Sequence, residues 1–326
     1  MMTSIYIKVF THSLAISLLF GVILLFYNVG KPYKRGFFCN DQTLSYPFRK
    51  STVSSVVLYS VCSVVALCTI LFSEIMLILA NRNRSHNHTF KLFIARVYGG
   101  ALTFVNGVLI SHIITDTAKY SIGRLRPHFF QLCQPIGYSD YCHPNSTAYI
   151  ENYECKPTYS GSDASYVLKN VHLSFMSGHS SFAAFCYTFA KIYLITTTSH
   201  HTYYLLPLKS VFATAIACGS MFIAYSRITD YKHHWEDVAV GYAQGSLVAF
   251  LIWYFTDYIL TTTIITDSHT IEKQKIYFFI EVFFCNVLNK KKHTLDDERG
   301  SCDTSTRCNS RGANPPAAED DCDTST

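Results

Sequence analysis

Long apolar runs alternate with short polar connectors along this chain. Six runs stand out, at about 9–27, 53–80, 97–118, 177–197, 205–225 and 238–260. Each is near or above the roughly 20 residues that an α-helix needs to cross a bilayer. The pattern predicts an all-α fold: a polytopic membrane protein with six transmembrane helices over residues 1–262, followed by a tail, 263–326. Glu74, His112 and Asp116 interrupt two of the runs. Ionisable residues inside a span face the bundle interior, and these three are predicted to do so. One lysine, Lys8, precedes the first run, and FYNVGKPYKR follows it with no small-residue cleavage pattern, so it is read as an uncleaved span.

The connectors then sort into two sides. Six spans place both termini on one face, predicted to be cytoplasmic, and leave outer loops at about 28–52, 119–176 and 226–237. The basic-residue asymmetry behind that orientation is small, about fifteen Lys and Arg inside against twelve outside, and Lys31, Lys34, Arg35, Arg49 and Lys50 run against it. The Asn145-Ser146-Thr147 sequon favours it, because glycosylation acts on the lumenal side. Cys39, Cys133, Cys142 and Cys155 fall on the same side. They could form up to two disulfides with three connectivities, or stay free. The sequons at Asn83 and Asn87 would face the cytosol. The first outer loop mixes Gly, Pro, aromatic and basic residues and is expected to lie against the membrane surface, while 81–95 reads as a basic inner turn. In the tail, 276–288 is too short to span; it reads either as an interfacial stretch beside Lys290–Lys292, with Cys285 open to acylation, or as plain tail. From about 294 the composition, with CDTST written twice, predicts disorder.

Composition agrees with a membrane chain. Of 326 residues, 49% are hydrophobic and 15% charged, against roughly 25% charged in soluble domains. A net charge of +5, spread out, gives no footprint for nucleic acid. Homo-oligomerisation is left open.

Three polar clusters carry the chemistry. SRITDYKHHWED, Ser226 to Asp237, brings Arg227, two histidines and a carboxylate between two apolar runs. If a helix begins there, His233 and Asp237 share a face, and the carboxylate can hold the proton on one ring nitrogen and free the other as a nucleophile. In KYSIGRLRP, Lys119 and Arg126 are two helical turns apart and can point the same way until Pro127 ends the helix, with Arg124 on another side. In SFMSGHSSF, Ser177, Gly178 and His179 open the fourth run. Free N–H groups at such a helix start suit an anion, and His179 could protonate a leaving oxygen. Each cluster alone also fits a cap, a headgroup anchor or a polar loop. Alternating spans, however, bring all three to the outer face.

In this order and spacing the motifs resemble the lipid phosphate phosphatases of the type 2 phosphatidic acid phosphatase superfamily: Lys119 to Pro127, Ser177-Gly178-His179, and Ser226 to Asp237. GFFCND (36–41), Tyr46-Pro47 and DYKHHW resemble its animal branch, over roughly residues 5–262; Met176 stands where the wider superfamily has proline. The resemblance implies a metal-independent hydrolase without cofactor, at the outer membrane interface, acting on phosphatidate, lysophosphatidate, sphingosine-1-phosphate or ceramide-1-phosphate. His233 would be the nucleophile forming a phosphohistidine, Asp237 its orienting carboxylate, and His179 the acid and then the base. Lys119, Arg126, Ser177, Gly178 and Arg227 would bind phosphate, with His234 a supporting or surface histidine. A plasma-membrane location is expected, with the endoplasmic reticulum or another endomembrane as the alternative. The competing readings are a catalytically silent relative that binds lipid phosphates or partners, a metal site from His179, His233, His234 and Asp237, and a phosphatase of sugar phosphates or polyprenyl diphosphates.

Overall fold

The computed structural model describes residues 2–80, 86–144, 146–156, 164–196 and 206–264. The tail beyond 264, Asn145 and Asn83 lie outside the described residues, so the expectations placed there stay expectations. The described elements are α1 (Met2–Asn28), β1 (Phe37–Phe38), α2 (Ser55–Ala80), α3 (His86–Ile122), α4 (Phe129–Cys133), α5 (Tyr138–Tyr141), β2 (Tyr149–Ile150), α6 (Ala164–Asn170), α7 (Gly178–Thr196), α8 (Leu206–Thr229) and α9 (Trp235–Ile264). The fold is thus almost wholly helical, with one helix for each of the six apolar runs. Among the described residues, α1, α2, α3, α8 and α9 are long and apolar enough to cross a membrane. The remaining long helix, α7, has 19 residues and is the most buried, with Phe182, Ala183, Ala184, Phe185 and Cys186 all in the core. It sits at the centre, with α2, α3 and α8 packed on it.

Close backbone approach fixes α7 against α9. A side chain at Gly241 would meet the Ser177 carbonyl oxygen at 2.6 Å, and one at Gly245 would meet that of Ser181 at 2.0 Å. Small residues four apart let membrane helices meet at backbone distance. Here they seat the start of α7 beside the start of α9, where Ser177 N donates to the Asp237 carbonyl at 3.0 Å. Just below lies a hydroxyl–amide network in which the Ser111 and Ser181 hydroxyls hydrogen-bond each other at 2.9 Å and both reach Gln244.

Glu74, His112 and Asp116, the three ionisable residues that interrupt the apolar runs, are each partnered. Glu74, 1% exposed, accepts from Arg96 Nε at 2.6 Å and from the Tyr193 hydroxyl at 2.8 Å. Asp116 lies between His112 Nε2 (3.3 Å) and Lys119 Nζ (3.1 Å).

Two expectations need correction. The segment 81–95 is not simply a turn, since α3 begins at His86 and carries Arg96 into its pair with Glu74. At its other end α3 stops at Ile122 rather than at Pro127. Gly123 adopts φ +60° there, and a side chain on it would meet the Tyr33 carbonyl at 1.9 Å; a left-handed glycine is a common helix stop. Lys119 and Arg126 therefore do not share a helix face, because Arg126 lies on the loop beyond. Beyond what the sequence predicts, the loop at 28–52 joins the long second loop. β1 pairs antiparallel with β2, Phe37 opposite Ile150, and Cys39–Cys142 and Cys133–Cys155 are the two disulfides. Phe37, Phe129, Leu132, Tyr153 and Val171 form the apolar core of this cap. The cap's composition reads as loop because its core is split between segments about a hundred residues apart.

Candidate active site

The site lies at the end of the helix bundle that meets the cap. Arg227, in the last turn of α8, is 1% exposed. Its guanidinium donates to Ser226 Oγ at 2.9 and 3.1 Å and to Asp230 Oδ2 at 3.0 Å. Asp230 in turn accepts from Thr52 N and Oγ1, both at 2.7 Å, which ties the first outer loop to this corner. The Arg227 carbonyl accepts from Lys232 N (3.0 Å) and His233 N (3.2 Å), so the turn folds back and sets His233 beside Arg227. Tyr231 makes that turn at φ +54°, its ring stacked on Tyr46 and capped by Arg49.

Helix α9 begins at Trp235, after both histidines. His233 and Asp237 are therefore not one helical turn apart, and the expected carboxylate–imidazole bond is absent: His233 Nδ1 lies 3.9 Å from Asp237 Oδ2. That nitrogen instead meets the Ser174 carbonyl at 2.7 Å. Asp237, fully buried, accepts from Arg124 Nη1 (2.6 Å), Ser174 Oγ (2.6 Å) and His234 N (3.0 Å), with His234 Nδ1 at 3.3 Å. The bond to His234 N satisfies a free donor at the start of α9.

The second cluster opens α7. Ser177 is fully buried, and its N–H is used by Asp237, so it is not available to a ligand as the sequence suggested. A side chain at Gly178 would lie 3.3 Å from Lys119 Nζ, so the bare backbone leaves room beside that ammonium. His179 hydrogen-bonds the Val53 backbone, while its buried Nε2 has no partner. Arg126 donates from Nη2 to the Leu173 carbonyl at 3.3 Å, while its buried Nε also lacks a partner. Buried polar atoms are normally satisfied. Only four among the described residues are not, and two of them belong to predicted site residues.

The electrostatics point the same way. Lys119, Arg124 and Arg227 each have a carboxylate within 4 Å: Asp116, Asp237 and Asp230. Among the described residues no carboxylate is within that distance of Arg126 or Lys232, so positive charge remains uncompensated. Burial lowers Arg126 to about 10, which still leaves it charged at neutral pH. His233 is pushed well below its ordinary value by burial, then by Arg126 and Lys119, and is neutral, as a nucleophile must be. Burial and Arg126 lower Lys232 to about 8; its ammonium sits over the Phe48 ring. No group of three His, Cys, Asp or Glu among the described residues is arranged to hold a metal.

The structure thus assembles Lys119, Arg126, Ser177, Gly178, His179, Arg227, His233 and Asp237 at one place. Sequence reasoning missed Ser174, the role of Arg124 and the seating of α9. Gly241 and Gly245 could have been read from their spacing of four. The contacts of Ser174 and Arg124 join segments 63 and 113 residues apart, and no local signal marks them.

Comparison with known proteins meets this geometry from another side. The PAP2 superfamily profile matches residues 100–260, the part that holds every residue of the site. Phospholipid phosphatase 1 of Rattus norvegicus is 35% identical over 73% of this chain and 83% of its own. Phospholipid phosphatase 2 of Homo sapiens is 36% identical over 75% and 80%. The crystal structure of a PAP2 type phosphatidylglycerolphosphate phosphatase from Bacillus subtilis covers 63% of this chain and 89% of its own, at 18% identity and TM-score 0.32. With a helical membrane bundle, three motifs meeting at one end and relatives of this extent, the chain belongs to the PAP2 superfamily.

Proposed function

We propose that this protein is a membrane lipid phosphate phosphatase that works through a phosphohistidine and needs no metal. One observation carries the reading: buried cations and two imidazoles converge at the outer helix ends with Arg126 Nε and His179 Nε2 left unpartnered. An unsatisfied cation beside an unsatisfied imidazole suits a phosphate monoester dianion. Phosphoryl transfer asks chiefly for positioning and for charge around the equatorial oxygens. Lys119, Arg126 and Arg227 supply that charge as fixed side chains, beside the bare backbone at Gly178.

His233 Nε2 attacks phosphorus as the bond from phosphorus to the lipid oxygen breaks. His179, protonated on Nε2 with the dianion bound, gives its proton to the leaving alkoxide. Water then attacks the phosphohistidine, His179 takes the proton back, and inorganic phosphate leaves with His233 restored. Substrates are phosphatidate, lysophosphatidate, sphingosine-1-phosphate or ceramide-1-phosphate, whose tails stay in the bilayer while the phosphate reaches the interface. The relatives' names, phospholipid phosphatase 1 and 2, support this class. The two cap disulfides support an oxidising, extracellular or lumenal outer face, with both termini cytoplasmic and the plasma membrane as the place of action. On that face Asn145 is a glycosylation acceptor.

The test is phosphate release from phosphatidate in detergent micelles with EDTA, for wild type and His233→Ala in parallel. Release by the wild type alone is expected. Equal rates for the two would remove the nucleophile assignment, and silence of both on every lipid phosphate would favour a binding role.

A further inference from the structure

We propose that Ser174 is the positioning residue for the nucleophile, and that Asp237 acts on His233 through Ser174 rather than directly. The proposal rests on the function proposed above and deepens it. Ser174 is fully buried, and its backbone and side-chain polar atoms are engaged. Its N–H donates to the Arg124 carbonyl at 3.0 Å. Its carbonyl meets His233 Nδ1 at 2.7 Å. Its hydroxyl donates to Asp237 Oδ2 at 2.6 Å.

A carbonyl oxygen only accepts, so Nδ1 carries the ring proton and Nε2 holds the free electron pair. This tautomer is the one an Nε2 nucleophile requires. Asp237 cannot set it, being 3.9 Å away with both oxygens engaged by Arg124, Ser174 and His234. What Asp237 does hold is the hydroxyl of the residue whose carbonyl holds His233.

The strap around Ser174 is well placed for this task. Residues 171–174 run beside 124–126: Arg126 N donates to the Val171 carbonyl, Arg126 Nη2 to the Leu173 carbonyl and Ser174 N to the Arg124 carbonyl. One short segment therefore aligns the phosphate cation Arg126 and the nucleophile His233 together. A shift of the strap would move both.

The experiment is a double-mutant cycle with a direct reading of the imidazole. Ser174→Ala, Asp237→Ala and the double variant are assayed for kcat, KM and pH profile on phosphatidate, beside wild type and His233→Ala. Ser174→Ala is expected to lower kcat roughly 10- to 100-fold with KM little changed, the scale of losing a residue that orients a reacting group. The double variant is expected to be no slower than Asp237→Ala, since both lie on one path. Ser174→Thr, which keeps the hydroxyl, is expected to recover most of the rate. In the 15N-histidine spectrum of the full chain, the signals lost in His233→Gln identify His233, and they are expected to show protonated Nδ1 and bare Nε2. In Ser174→Ala those signals should become a mixture of tautomers.

Wild-type kcat and pH profile in Ser174→Ala, losses that multiply in the double variant, or a bare Nδ1 in the wild type would each overturn the proposal. If Ser174→Ala does not fold, the wild-type spectrum and Ser174→Thr still decide. A wild type silent on every lipid phosphate would defeat the proposed function instead, and the spectra of wild type and Ser174→Ala would then judge Ser174 alone.

Discussion

Two buried charge clusters lie at opposite ends of the bundle, and they end differently. At the end away from the cap Glu74 is closed, one oxygen taken by the Arg96 guanidinium and the other by the Tyr193 hydroxyl. At the cap end, Arg126 Nε and His179 Nε2 are buried and unpartnered, and Arg126 and Lys232 have no carboxylate within 4 Å among the described residues. In the sequence Glu74 is a single carboxylate inside an apolar run, whereas the second cluster falls in three polar motifs at the ends of runs. The first satisfies itself and clamps α2, α3 and α7. The second leaves buried donors and positive charge unmet among the described residues. Unfilled hydrogen-bonding capacity, more than the number of charges, separates a binding site from a structural clamp.

The sharpest way to break this comparison is at the nucleophile. His233→Ala should lower phosphate release at least about 1,000-fold while the protein stays folded by circular dichroism; a residual wild-type rate would end the phosphohistidine reading. Next comes the open cation. Arg126→Ala should cut kcat/KM by about 100- to 1,000-fold and leave thermal stability nearly unchanged or improved, because a buried charge without a carboxylate partner is removed. Its counterpart in the closed cluster should do the reverse. Arg96→Ala should destabilise by about 1–3 kcal/mol, a range discounted because Arg96 is partly exposed, with the rate per folded molecule unchanged. If Arg96→Ala slowed catalysis and Arg126→Ala mainly destabilised, the distinction would fail.

A smaller effect should appear on acidification. His128, bonded to the Tyr231 carbonyl at 2.7 Å, is lowered to about 3, by burial first and then by Arg126. The unfolded imidazole titrates near its ordinary 6.5 and takes up a proton that the folded one refuses. This stabilisation is full above about pH 6.5 and is lost as pH falls toward about 3. The thermal midpoint should therefore drop on acidification, and less so in His128→Asn. The smallest expected effect is that of chelator: excess EDTA should leave phosphate release unchanged, and loss of activity restored by a divalent metal would replace fixed cations with a metal site.

Much of the site was legible because its chemistry is written locally. Lys119, Arg126, His179, Arg227 and His233 were named from residue type and spacing, and alternation of the spans brought them to one face. The errors came from single-residue backbone decisions. The stop at Gly123 moved Arg126 off the helix that holds Lys119. The start of α9 at Trp235 took His233 out of helical register with Asp237. The pairing of the four cap cysteines and of its two strands stays open in the sequence, because Cys39–Cys142 and β1–β2 join segments about a hundred residues apart.

What the sequence determined by itself is the helical membrane bundle and which polar residues gather at one end of it. Apolar run length fixes spanning helices, because in lipid the backbone must satisfy its own hydrogen bonds. What only the tertiary structure decided is who touches whom. The cysteine pairing, the seating of α9 on α7 through Gly241 and Gly245, and the choice of the Ser174 carbonyl over Asp237 as partner of His233 all depend on contacts between segments far apart in the chain. Hydrogen bonds and close packing act over a few ångströms, and sequence spacing cannot specify distances that small across a folded chain.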